Sequence, residues 1–379
     1  MAANSFNIAL DLGGSGSKGF YFWEKQVHPL LMESQVSLMK KERIPRLKTS
    51  QGAPEDTCYL RVGDSYWAVG TLGRILEGDS GIKSPKSELA VRKVLAALGC
   101  AWEHIGNLPR QAEVNLSLLL PVNEYWKDSF TLEEELRKAA QGFMCRDHEL
   151  EFQFPRLSIV PEGGGLFMYR LLQLKQDIRK KVIAVLMFGH RNLSVLIFEK
   201  GNPPVENVST SKGPGFMNYL EQCAAEIPEL KADSSVLFEA VINNTSELFV
   251  QGRSLAYDMP EITAHARLKY LNDVELFLKQ WLPESADEII VAGGATHNIF
   301  DELQELFERR HLSARVLYTD ELETEIRDLL ERNGQLKKEE ITPILLRRLS
   351  DVYGAFKRQT AVMATPKESG GKKNVAQAI

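Results

Sequence analysis

Apolar positions along the chain follow two rhythms. Short unbroken apolar runs read as buried strands, and other stretches repeat every three or four residues, as one face of a helix does. Phe6–Leu12 and Phe20–Trp23 are runs of the first kind, joined by a polar, glycine-dense segment. Cys58–Val62 and Tyr66–Val69 predict a second hairpin, with Gly63-Asp64 at the turn. Ser87–Leu98 has helical spacing, with Gly99 as its stop. Glu113–Leu120 predicts a buried strand halted by Pro121. Thr131–Gly142 predicts an amphipathic helix with acids in its first turn and bases later, as the helix dipole prefers. Leu157–Gly165 predicts a strand ending in a tight loop, and "LFMYRLLQL" a helix after it.

A second series begins at Lys180. "KKVIAVLMFGHRNLSVLIFEKG" predicts strand, polar turn and strand; "SKGPGFMNYLEQCAAEI" a glycine loop entering a helix; Ile262–Leu282 a long helix; and "DEIIVAGGATHNIFDELQELF" strand, glycine turn and helix. The last helix is expected over Ile341–Arg358. From Gln359 the composition turns to Thr, Pro, Lys, Ser and Gly, which predicts a disordered tail. A strand-turn-strand element thus occurs twice, around Asp11 and around Gly189, each opening one half of an α/β chain. Two similar domains facing one another across a cleft are expected: residues 1–165 with 340–358, and residues 166–339, followed by the tail 359–379.

Composition narrows the function classes. The chain has 379 residues, 44% hydrophobic and 26% charged, with a formal net charge of -5. That gives no general attraction to DNA or an anionic membrane, so direct DNA binding is not expected. Cys58, Cys100, Cys145 and Cys223 form no C-x-x-C pair, which argues against a zinc site or a disulfide framework and for a reducing cytoplasm. The first residues lack the basic segment of a signal peptide, and no run approaches the ~20 apolar residues of a membrane span.

Candidate chemistry begins at the first glycine segment, "ALDLGGSGSKGFYFW". Gly14 to Gly19 matches G-x-G-x-x-G, and Glu33 lies at the distance of a ribose acid. A dinucleotide fold needs the glycines to open a helix. "GFYFWEKQVHP" is a poor one: its aromatics favour strand and a proline follows. No G-K-[ST] follows either, which excludes a Walker loop. Two readings remain, a hairpin that binds nothing and a hairpin whose backbone N–H groups fold around phosphates. In the second, Gly13, Gly14 and Gly16 let the backbone approach, Ser15 and Ser17 add hydroxyl donors, Lys18 supplies a point charge, and Asp11 holds a hydrated Mg2+.

The second arrangement resembles the first phosphate loop of the actin-like ATPase superfamily, with the lysine seven residues after the acid. The resemblance continues in order. "VPEGGG" is similar to the segment that faces the attacking water, "MFGHRNLSVLIF" to the second phosphate loop, and "SKGPGFMNYL" to the turn near the ribose. "IIVAGGATHNIF" is similar to the adenosine motif, and "DVYGAFKRQ" to the closing helix. These motifs span roughly residues 5 to 358, and the pattern looks most like the plasmid-segregation actins of the ParM type. The resemblance implies duplicated actin-like (ribonuclease H-like) α/β domains with ATP or ADP and Mg2+ between them.

It also implies site residues. Glu162 would orient the attacking water, although a loop carboxylate capping the next helix is the plainer alternative. Gly189, His190, Arg191 and Asn192 would bind phosphate, and Lys212, Gly213, Gly293, Gly294 and Ala295 the adenosine. Lys-Gly-Pro-Gly is also ordinary turn chemistry. In the second phosphate loop Met187 stands where the family has aspartate, and a thioether is no ligand for hard Mg2+. Slow or altered hydrolysis is the expectation. The implied function is ATP-dependent filament formation, moving plasmid DNA through an adaptor or serving as a bacterial cytoskeleton. A small-molecule kinase or activator of the same superfamily is the alternative, and a nucleotide-gated structural filament a third. Lys367, Lys372 and Lys373 of the tail are candidates for an adaptor, DNA or lipid contact.

Overall fold

The computed structural model describes residues 5–44, 52–81, 84–250, 256–309 and 313–364. It divides into two compact units. Unit one is drawn from Met1–Gln176, Asp320–Thr342 and Leu349–Ile379, and unit two from Asp177–Thr319 and Pro343–Arg348.

Unit one is built on a nine-stranded sheet. Its strands are β1 (Ser5–Gly13), β2 (Gly16–Trp23), β3 (Gln26–Met32), β4 (Val36–Met39), β5 (Tyr59–Val62), β6 (Ser65–Val69), β7 (Gln111–Leu120), β8 (Phe143–Cys145) and β9 (His148–Pro161), in the order β3-β2-β1-β7-β9-β8-β5-β6-β4. β1, β2 and β3 form an antiparallel meander, and β7 and β9 continue from β1 in parallel. β1 reads as an unbroken apolar run because both of its faces are covered. Phe6, Ile8, Leu10 and Leu12 enter the main core with the helix Lys86–Ile105. On the other face Ala9 pairs with Phe20, whose ring meets Tyr353 edge-on at 4.9 Å.

Unit two repeats the plan with β10 (Val182–Phe188), β11 (Asn192–Glu199), β12 (Thr210–Pro214), the small hairpin β13 (Glu247–Leu248) and β14 (Tyr257–Asp258), β15 (Glu288–Ala292) and β16 (Arg315–Leu317). Its main sheet runs β12-β11-β10-β15-β16, again an antiparallel meander followed by two parallel strands. The first five strands of the unit-one sheet and these five therefore share one topology. The duplicated α/β architecture expected from the two glycine hairpins is present.

Several elements differ from the expectation, each for a local reason. Gly99 does not stop its helix, which continues to Ile105 and ends at Gly106 with φ 71°. Gly99 is instead a close approach: a Cβ there would collide with the Cys145 sulfur. Pro121 halts β7 but starts a helix, Val122–Ala140, nine residues before the expected one. The apolar-poor "NEYWKDSF" hid that start. "SKGP" belongs to a strand, β12, rather than a loop, and Gly215 caps the helix that follows. The closing helix, Pro343–Ala364, runs past Arg358 because no breaker occurs before Pro366, and Gln359 donates to the Asn115 carbonyl at 2.8 Å. Lys367, Lys372 and Lys373, with the rest of 365–379, lie outside the described residues. Among those described, no helix is long and apolar enough to cross a membrane.

Candidate nucleotide-binding residues

β1, β7 and β9 are parallel neighbours, so their carboxyl ends share one edge of the unit-one sheet, where ligands of α/β folds bind. Asp11 lies two residues before the end of β1, and Glu162 follows β9 with its N–H donating to the Leu120 carbonyl at the end of β7, at 2.7 Å. The glycine segment between β1 and β2 is a tight hairpin in which Gly13 faces Gly16 and Asp11 faces Lys18. It leads into a strand. The required helix is absent, which removes the dinucleotide reading. β2 then turns into β3 at Glu24-Lys25, both at positive φ (47° and 68°), as a two-residue hairpin demands.

Four charged side chains meet at this edge. The Lys18 ammonium donates to Asp11 Oδ2. The Lys86 ammonium donates to Asp11 Oδ1 at 2.8 Å and also to Glu162 Oε1. All four are largely shielded from solvent, the Asp11 side chain being 11% exposed and that of Lys86 14%. Burial alone would raise the Asp11 pKa, but Lys18 and Lys86 overcome it and hold the carboxyl well below the usual range. Glu162 is pushed up by burial, only partly offset by Lys86. The Lys86 pKa is raised, because its two carboxylate partners outweigh the burial that would lower it.

Gly13 shares the Asp11 face of β1, and a Cβ there would sit 3.0 Å from the Gly16 carbonyl and 3.5 Å from Lys18 Nζ. The missing side chain keeps the approach to the lysine open. Gly14 and exposed Ser15 form the tip, where Ser34 Oγ donates to the Gly14 carbonyl. Ser17 departs from the expectation. Cross-strand partners share a face, so Ser17, opposite Leu12, lies on the face away from Asp11 and Lys18. Its hydroxyl is buried without a hydrogen-bond partner. Gly19 is a packing glycine: a Cβ would overlap the Ala9 carbonyl oxygen.

The glycines of "EGGG" also serve packing. Gly163, at φ 90°, leads into the helix Gly164–Leu174, and its N–H donates to Asp351 Oδ2 at 2.6 Å. The Leu166 N–H donates to Asp351 Oδ1 at 3.2 Å. Asp351, from the closing helix, thus holds the start of the segment that carries Glu162. Burial pushes its pKa up to about 7, partly offset by the Gly163 N–H, while Asp11 and Glu162 nearby push it further up. A carboxyl that is protonated more readily folded than unfolded lowers stability as pH rises from about 4 to about 7, with no further change above. Asp351→Asn is expected to flatten the urea-unfolding midpoint over that window, measured against wild type at each pH.

In unit two, the second hairpin turns through Gly189, His190 and Arg191. The Gly189 N–H donates to the Asn192 carbonyl at 2.9 Å. The first amides of the helix Phe216–Ala225 are spent on this turn: Phe216 N donates to Gly189 O at 3.0 Å and Met217 N to His190 O at 2.8 Å. Gly215 presses on Arg191 and Gly293, at φ 104°, on Phe188, where a Cβ at either would overlap backbone. These three glycine positions therefore converge on one turn. His190 sits between Phe216 and Phe238, and burial, with the Arg348 charge, lowers its pKa. It is a half-buried turn residue packed on two aromatic rings. Arg191 is exposed, and its Nε donates to Asn192 Oδ1 at 3.2 Å. Met187 pairs with Ser194 and Ala292, the place in this unit that Asp11 holds in unit one. Gly213 lies under the Phe277 ring and Gly294 sits 2.7 Å from Arg348 Cγ, so helix packing accounts for both. Lys212 is exposed and Ala295 buried. A cavity of about 430 Å³ is lined by Asn244, Arg267, His297, Asn298, Phe300 and Arg347 among others, and none of Gly293, Gly294 and Ala295 lines it. It is of the size of small-molecule sites.

Sequence reasoning missed Lys86 and Asp351. The signal Lys86 carried was slight: it directly precedes the helix predicted from Ser87, and the structure makes it that helix's first residue, where the dipole disfavours a cation.

The resemblance also implied a divalent cation held by Asp11 through water. The donor set does not fit one. Both Asp11 oxygens and one of Glu162 already accept from ammonium groups. Among the described residues no group of three or more His, Cys, Asp or Glu could hold a metal ion.

No family model matches this chain, and no curated protein matches it. Among solved structures it is similar to ParM of a 15-stranded filament from Clostridium botulinum, with 15% identity and a TM-score of 0.62 over 94% of this chain and 99% of that one. It is likewise similar to an archaeal actin homologue (16%, 0.62, 95% and 100%) and to the actin-like protein Alp7A (14%, 0.62, 97% and 100%). The archaeal homologue is also known in complex with ADP (15%, 0.59, 94% and 99%). The chain has the actin-like fold, of the form seen in ParM.

Proposed function

We propose that this actin-like chain binds a nucleoside triphosphate and assembles head to tail into filaments under its control. The observation that carries the reading is the charged edge at Asp11, Lys18, Lys86 and Glu162, placed at the carboxyl ends of three parallel strands beside a glycine hairpin. Two ammonium groups and an open backbone suit phosphate oxygens. Glu162, with its pKa raised by burial, is suited to orient and deprotonate an attacking water. The solved relatives include a ParM filament and an actin homologue bound to ADP, which supports both halves of the reading.

A heterologous contact that does not close on itself makes a filament, and a bound nucleotide can bias it by favouring one conformation. Met187 removes a carboxylate from the second hairpin, and hydrolysis is accordingly slow. With a net charge of -5, any DNA cargo is reached through an adaptor.

Pelleting and electron microscopy with ATP, with ADP and without nucleotide test the proposal. Filaments are expected with ATP, appearing before appreciable phosphate release. Protein that stays monomeric in all three conditions, or that consumes ATP only with an added acceptor, would refute it.

A further inference from the structure

The misfit of the divalent cation has a specific cause in this chain, the side chain of Lys86. Its ammonium bridges the two carboxylates that lie nearest the phosphate hairpin, Asp11 at 2.8 Å and Glu162. That is the position from which a cation would have to neutralise both. The lysine is held there by construction. It is the first residue of a 20-residue helix, against the dipole preference. The turn is anchored by acids instead: Ser87 N donates to Glu124 Oε2 at 3.1 Å and Ser87 Oγ to Asp128 Oδ2 at 2.8 Å. Lys93, about two turns on, is also buried, and burial followed by the Lys86 charge lowers its pKa to about 8. A lysine placed this way costs burial and dipole energy, and its two acidic partners are what it gains.

In unit two, the place matching Asp11 is held by Met187, so that hairpin carries no carboxylate there.

We infer that the Lys86 ammonium serves as a built-in cation in place of a divalent metal, so that this chain engages triphosphate without Mg2+. The inference rests on the nucleotide reading above. Two lysines and two acids balance to zero net charge in the free protein. An incoming triphosphate offers Lys18 and Lys86 stronger acceptors than the carboxylates, and both long side chains can swing to it without leaving the edge. Glu162 is then released from its lysine to face water.

Isothermal titration of ATP in excess EDTA and in excess Mg2+ separates the possibilities. Wild type is expected to bind with affinities equal within about threefold in the two buffers. Lys86→Met, which keeps the stem and removes the charge, is expected to bind about tenfold or more weakly in EDTA and to recover with Mg2+, since a lost charge-assisted contact is worth about a decade. Lys86→Arg keeps the charge and is expected to remain indifferent to Mg2+. Circular dichroism checks that the variants fold; if Lys86→Met does not, wild type and Lys86→Arg decide. Wild-type binding that appears only with Mg2+ overturns the inference and leaves the nucleotide reading intact. No heat in either buffer overturns the nucleotide reading, and this inference with it.

Discussion

Asp11→Asn is expected to cost the nucleotide-free protein about 3–5 kcal/mol and to be rescued by polyphosphate. The carboxylate takes one ammonium on each oxygen. An amide keeps one acceptor and points a donor at the other lysine. The four-group network then changes from neutral to one net positive charge, and removing one partner of a buried ion pair leaves the other charge uncompensated. ATP or inorganic tripolyphosphate supplies the missing negative charge, so the variant gains more from either than wild type does. Urea unfolding with and without tripolyphosphate reads both effects. The acid limb is a second check. Because the folded Asp11 pKa lies below its unfolded value of 3.8, its contribution is present above about pH 4 and is lost as pH falls further. The variant lacks that loss. A variant as stable as wild type and indifferent to tripolyphosphate would mean that the network does not bind phosphate.

Most of the architecture was legible because strand rhythm and glycine hairpins are local signals. The duplication could be read from two such hairpins, and Asp11, Lys18 and Glu162 do meet at one edge. What was not legible depended on which face a residue takes and what presses on it. Ser17 and Lys18 are adjacent in the hairpin, so motif order treats them alike, yet strand alternation sends one hydroxyl into the core. Gly19, Gly165 and Gly213 look like loop glycines, but each is small because a neighbour leaves no room: a strand carbonyl, a crossing helix and an aromatic ring. Lys86 lies far from the other site residues along the chain. Only the fold brings it to Asp11, and its position at a helix start was the one hint.

The crossing helix yields the other large effect, and it separates packing from ligand binding in "VPEGGG". The helices Gly164–Leu174 and Pro343–Ala364 cross at Gly165 and Gly354. A Cβ on Gly165 would overlap the Asp351 carbonyl oxygen, and one on Gly354 the Gly165 carbonyl oxygen. Both obstacles are backbone, which cannot rotate away as a side chain can. Gly165→Ala is therefore expected to lose about 3 kcal/mol, the upper part of the usual overpacking range. Gly142→Ala, where nothing lies within 4 Å, serves as the control. It is expected to be neutral or to gain about 0.4–1 kcal/mol through the unfolded chain. Denaturant midpoints of the two variants and wild type measure the contrast. The crossing also sets the site, since the same helix delivers Asp351 to the Gly163 and Leu166 amides and so fixes the turn after Glu162. The folded fraction of Gly165→Ala should accordingly bind ATP more weakly, although its Cβ points at the crossing helix. A Gly165→Ala protein with wild-type stability would show that the glycine run is kept for the space around Glu162 rather than for the crossing.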